Sequence, residues 1–194
     1  MEAKKILAAF FILLSFSSFS QSIAEQRKGH LRTQANLAGG FMFSQKDFRT
    51  YLTGDFDLFI DRGVSITGEG WFNFKSKDKY STGLLRNHSF FGGFNYHPVK
   101  KGKWDPYIGL SPGIAMVNAR EHCAGNCPDN IPPTVSGVAP LVSGVVGCNY
   151  YIGSVFNLFV KVRGVTGRFK GDLPELVSLH EMKITAGLGW NVSD

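Results

Sequence analysis

Three carboxylates and two cations are the residues in this chain whose types and spacing best suit chemistry: Asp55, Asp57 and Glu69, with Lys161 and Arg163. Asp55 and Asp57 are two apart, as are Lys161 and Arg163, and on an extended strand that spacing puts both members of a pair on one face. A three-residue reversal at Asp61-Arg62-Gly63 would set Phe59 opposite Ser65, Asp57 opposite Thr67 and Asp55 opposite Glu69. Two carboxylates then face each other, and like charges at that range repel unless cations intervene. One reading is an acid–base pair; the other is a structural ionic network neutralised by Lys161 and Arg163. The network is the expectation, because structural ion pairs produce the same electrostatic signature without catalysis. Arg32, Arg49, Glu181 and Lys183 fall on the polar phase of their own segments and join the set.

Other reactive residues carry weaker signals. Cys123 and Cys127 flank Ala-Gly-Asn in the longest loop, 119–134. In an oxidising, exported setting a local disulfide is the natural pairing. A metal site with His122 and Asp129, or two free thiols, remain as alternatives, although the neighbouring His122 and Cys123 are poorly placed to share one ion. Cys148 reads as a small strand residue, buried or facing lipid. His88 and Ser89 are adjacent on a strand and point to opposite faces, so they cannot form a base and its nucleophile. His97 and His180 lie near strand ends and are expected in solvent. The sequence offers no phosphate-binding glycine loop and no triad, and hence no catalytic residue, cofactor or metal.

The elements that position these residues announce themselves by alternation. From Phe48 to Ile60, every second residue is apolar or small, against Arg49, Tyr51, Thr53, Asp55, Asp57 and Phe59. After Gly63 the rhythm resumes, with Val64, Ile66, Gly68, Gly70, Phe72 and Phe74 against Ser65, Thr67, Glu69, Trp71 and Asn73. Period two means strands, and a turn ending in a left-handed Gly suits a hairpin. These strands, about a dozen residues each, exceed the five or six usual in soluble sheets. They match the roughly 9–11 tilted residues that cross a bilayer. Similar alternation predicts further strands over 31–43, 85–97, 105–118, 136–150, 154–166 and 179–192. Pro112 sits centrally in one of them and predicts a bulge, since it donates no ladder hydrogen bond. The total is eight antiparallel strands. Connections after the second, fourth and sixth strands are shorter than those after the third, fifth and seventh, with the short first loop at Ser44 to Asp47 as a departure, and aromatics gather near strand ends (Phe41, Phe43, Phe72 and Phe74; Tyr96, Tyr150, Phe156 and Trp190). Both features suit a membrane barrel.

Size and composition bound the rest. Lys4-Lys5 followed by an apolar run from Ile6 to Leu14 and a Ser-rich stretch reads as a secretory signal peptide over residues 1–24. The run is about half of what a membrane-spanning helix needs. Residues 25–194 then form a single barrel domain, opened by a short polar lead over 25–30. Lys and Arg outnumber Asp and Glu by 21 to 15, a scattered excess without a basic helix or aromatic–basic stripe, which argues against nucleic acid. It suits anionic lipid or lipopolysaccharide.

The mature region resembles the small eight-stranded outer-membrane barrels of Gram-negative bacteria, the OmpA- and OmpX-like group. The Leu52–Glu69 hairpin, Pro106-Tyr107-Ile108-Gly109-Leu110 and Lys183-Ile184-Thr185-Ala186-Gly187-Leu188-Gly189-Trp190 carry the resemblance. The last of these looks like a barrel-assembly signal, though no aromatic ends the chain. The resemblance implies an all-β, up-and-down transmembrane β-barrel in the cell outer membrane. It implies contacts with outer-membrane lipid and the barrel-assembly machinery, and a non-enzymatic envelope or surface-contact role through extracellular loops. The expectation is thus a lumen plugged by Arg49, Asp55, Asp57, Glu69, Lys161, Arg163, Glu181 and Lys183. A soluble lipocalin-like barrel would turn the same strands inside out, with charges in water. A lipid-modifying enzyme is the second alternative.

Overall fold

The computed structural model describes residues 27–74, 84–120, 134–171 and 176–192. The predicted signal peptide, the Cys123–Cys127 pair and most of the longest loop lie outside these residues. Strands run over Leu31–Met42 (β1), Asp47–Asp61 (β2), Val64–Asn73 (β3), Leu84–Tyr96 (β4), Trp104–Arg120 (β5), Thr134–Ile152 (β6), Phe156–Phe169 (β7), Val177–Ser178 (β8) and Glu181–Val192 (β9). β8 is a two-residue flap on the end of β7. The other eight form an antiparallel ring, each paired with its sequence neighbour, and β7–β9, β9–β1 and β6–β7 pairings close it. Closure removes every sheet edge, which is what lets strands survive where water cannot satisfy the backbone.

Alternation sorts the two faces without exception in the middle of the wall. Leu110 is 72% exposed and Val146 65%, while their neighbours Ser111 and Val145 are buried. Outside, Phe56, Phe94, Ile108, Val142, Val160 and Ile184 form an apolar belt. Inside lie Arg32, Asp57, Glu69, Lys161, Arg163 and Lys183. A soluble ligand-binding barrel has the opposite arrangement, so this distribution removes the lipocalin-like alternative. The aromatic positions near both ends face outward, with Phe41 against Phe43 at 5.5 Å near one rim and Trp104 against Tyr150 at 4.9 Å near the other. The rim bearing the short turns and residues 27–30 is called the turn end below; the opposite rim is the loop end.

Two local expectations are corrected. Pro112 causes no bulge: β5 and β6 stay in one register from Trp104–Tyr150 to Arg120–Thr134. On the other side, the β4–β5 ladder lapses opposite Gly92 and Gly93 and resumes in the same register. A Cβ on Gly93 would collide with the Leu110 carbonyl, so the missing side chain lets the strands close over the lapse. The β2–β3 turn is tighter than three residues. Asp61 pairs with Val64, and a register shift between Phe59 and Asp61 takes up the difference. Gly63 therefore has no left-handed backbone. A Cβ there would lie 3.4 Å from the His97 carbonyl and the Lys100 side chain, close to ordinary contact. The pairs Asp57–Thr67 and Asp55–Glu69 stand as the sequence placed them.

Candidate functional site

The charged side chains of the lumen separate into three tiers. At mid-height, Lys161 on β7 reaches across the ring to β2 and β3, because strands four places apart in an eight-membered ring face each other. Its Nζ contacts Asp55 and lies 2.6 Å from Glu69 Oε1. Arg163 contacts the other oxygen of Glu69, donates to Ser143 Oγ, and stacks over Phe91 at 4.7 Å. Both cations are almost fully buried, where unpaired charge is strongly unfavourable. The carboxylate pair is therefore bridged by cations and engaged in ion pairs.

Towards the loop end, Glu181 accepts from Tyr51 Oη and lies 3.5 Å from Lys183 Nζ. Lys183 also donates to Ser89 Oγ at 3.0 Å and sits over the Tyr51 and Trp71 rings at 4.4 and 4.7 Å, contacts that matter most for a desolvated cation. Gly40 makes room here, since any Cβ would overlap Glu181. Arg49 stands apart from these groups. It pairs with Asp47 at 3.1 Å and donates to the Leu84 carbonyl at 2.6 Å. His88 faces outward from Ser89 and accepts from the Asn73 backbone.

The turn-end tier contains most of what sequence reasoning did not assemble. Asp57 turns away from Asp55 and Glu69 and binds Arg32 at 2.7 Å. Asp105 gathers Arg27 at 2.9 Å, Arg32 at 3.2 Å, His97 Nδ1 at 2.8 Å and Tyr151 Oη at 3.0 Å, close to the four lone-pair positions a carboxylate offers. His97 is wholly buried, a correction to the expected solvent position. The inward phase of β4 runs through Asn95 and continues past the strand end to His97, which the β4–β5 turn and residues 27–30 then cover. The polar lead supplies a further group to this tier: Arg27 enters the mouth, bonds the Val99 carbonyl at 3.2 Å and lies over Phe59 and Tyr151. An Arg three residues past the expected signal boundary gave no signal of this, because the burial depends on how the lead folds back.

Ser65, His97 and Asp105 reproduce the distances of a nucleophilic triad, with Ser65 Oγ 3.1 Å from His97 Nε2 and His97 Nδ1 2.8 Å from Asp105. Two observations oppose that chemistry. All three are fully buried, and Ser65 Oγ also donates to Asp57 at 3.2 Å. A carboxylate at that distance repels the oxyanion that acyl transfer must stabilise.

Above the charges, nearest the loops, the lumen is filled differently. Met42, Leu84, Val117, Leu141, Phe169 and Leu179 meet in one apolar cluster. Met42, Leu84, Val117 and Phe169 lie at or near strand ends and Leu179 just past β8, while Leu141 stands inside β6.

No family model and no curated protein sequence matches the chain. Solved structures do. The N-terminal β-barrel domain of Pseudomonas aeruginosa OprF matches over 85% of this chain and 98% of its own length, at TM-score 0.55 and 14% identity. Neisserial surface protein A matches over 83% and 95%, at TM-score 0.61 and 12% identity. Ail, the attachment invasion locus protein of Yersinia pestis, matches over 85% and 99%, at TM-score 0.51 and 9% identity. The fold is that of the small eight-stranded outer-membrane barrels. Identities this low carry the architecture alone, and within it the tiers of this lumen are features of this chain's own residues.

Proposed function

We propose that this protein is an integral outer-membrane barrel with a plugged lumen. It is non-enzymatic, and its role is structural or contact-making at the cell surface. The observation that carries the reading is the pairing of an exposed apolar belt with a buried, ion-paired interior. A Lys or Arg at mid-depth facing lipid costs roughly 2–4 kcal/mol, whereas every mid-height cation here is turned inward and paired. The plug is supported by the near-complete burial of the tiers, since a water-filled bore would leave those side chains wet. Eight strands enclose a space that side chains can fill.

The surface-contact role draws on the names of two similar structures, a surface protein and an attachment invasion locus protein. It assigns contact to the loop end, chiefly to the 119–134 segment that holds Cys123 and Cys127. Contacts with lipopolysaccharide belong to the same reading. The test is membrane fractionation with heat-modifiable gel mobility, followed by planar-bilayer recording. An outer-membrane, heat-modifiable band without steady conductance is expected. Recovery in buffer without detergent, or a stable open-channel current, would overturn it. For the enzyme alternative, the buried Ser65 should resist fluorophosphonate labelling in the folded protein.

A further inference from the structure

A cap of exposed cations closes the turn end, and it is built from three chain segments laced together. The lead at 27–30 bonds to β2 through Gly29 N to Phe59 O and Phe59 N to His30 O, at 2.8 and 3.0 Å. The β2–β3 turn bonds to the start of the β4–β5 turn through His97 N to Gly63 O at 2.8 Å. Arg27 ties the lead to that same turn at Val99. These bonds fix the backbone that presents the exposed Lys28, Arg62, Lys100 and Lys101 and the half-buried Lys103. Lys100 lies across the Arg62-Gly63 turn. Asp61 is the one acid among the described residues of the three segments, and the β6–β7 turn, Ile152 to Val155, carries no charge.

Position decides what such a cap would meet. Lys103 directly precedes Trp104, which is 63% exposed and packed against Tyr150 with the rings tilted at 55°, and Tyr96 faces outward at the end of the adjoining strand. Aromatic rings of this kind sit at headgroup level. The cations next to them along the chain therefore stand at the height of lipid phosphates, where each Lys or Arg attracts anionic headgroups. We infer that the turn-end cap, through Lys28, Arg62, Lys100 and Lys103, is a docking surface for acidic phospholipid headgroups of the membrane leaflet on that side. The inference rests on the membrane reading above. It adds a leaflet-specific lipid partner, separate from any contact the loops make. The cap also covers the buried Asp105 cluster, so headgroup binding would hold the plug in place.

The experiment measures lipid selectivity beside Trp104. The full chain is folded into phosphatidylcholine vesicles containing phosphatidylglycerol, with bromines on the acyl chains of one lipid and then of the other, and tryptophan quenching is compared. The account expects phosphatidylglycerol to be enriched about fivefold around the belt, as one favourable headgroup–cation contact would give. High salt and the combined variant Lys28→Gln, Arg62→Gln, Lys100→Gln and Lys103→Gln should both bring the ratio to unity. A loop-end control, Lys46→Gln with Arg86→Gln and Arg168→Gln, should leave it unchanged. Equal quenching by the two lipids in the native chain would overturn the inference. So would enrichment lost only in the loop-end control, or cap-dependent sedimentation with purified peptidoglycan in place of lipid selectivity. If instead neither brominated lipid quenches and the chain stays in the aqueous phase, the membrane reading itself has failed.

Discussion

The two ends of the lumen are filled by opposite chemistries. At the turn end, Arg27, Arg32, Asp57, His97 and Asp105 interlock through directional contacts of 2.7–3.2 Å. At the loop end, Met42, Leu141, Phe169 and Leu179 pack without direction. Short, hydrogen-bonded turns hold side chains well enough to keep buried charges in register, and charges repay that rigidity only when every partner is present. Beside long connections, apolar packing tolerates small displacements. The ionic end should fail all at once when one group is removed, and the apolar end in proportion to the volume lost.

Substitutions can break or sharpen that contrast. The largest effect is expected for Asp105→Ala, which takes the carboxylate from buried Arg27 and one of two from buried Arg32 and should cost about 3–5 kcal/mol, measured by urea unfolding in lipid vesicles. Glu69→Ala is next, at about 3 kcal/mol, because it removes a partner from both Lys161 and Arg163. Adding Arg163→Met should recover part of that loss, because Glu69 is the acid that Arg163 contacts, and the double-mutant cycle would then report coupling between the two residues. Leu141→Ala at the loop end should cost about 2–3 kcal/mol for the cavity it leaves, with no such recovery from any charged partner. Ser65→Ala should be the mildest, about 1 kcal/mol for one hydroxyl's hydrogen bonds. A loss as large for Leu141→Ala as for Asp105→Ala would erase the distinction between the ends.

Much of the wall was legible in the sequence because its physics is local. Alternation from Leu31 to Val192 marks the strands, and the turn between β2 and β3 is enough to place Asp55 opposite Glu69. Which cations meet which acids across the bore is a question of ring geometry. Lys161 could be placed from strand order, since β7 lies opposite β3. The separation of Asp57 from Asp55 could not, because it depends on Arg32 reaching from β1 and Asp105 from β5. The burial of His97 and of Arg27 escaped the strand pattern for a related reason. Both lie just past strand ends, where period-two logic stops and burial is decided by how turns fold over the mouth. The two-residue β8, and the extension of β6 to Thr134 and Ile152, likewise follow from pairing with neighbours rather than from their own composition.

The central claim is that the apolar faces of the strands meet hydrocarbon and the charged faces are enclosed. Spin labels at Leu110→Cys, Val146→Cys and Val160→Cys, in a chain whose three native cysteines are replaced by Ser, test it in lipid vesicles by power saturation. Strong relaxation by dissolved oxygen and almost none by a water-soluble nickel complex is the predicted result at all three sites. Dominant relaxation by the nickel complex at those same sites would mean that the outer wall stands in water, and would contradict the account.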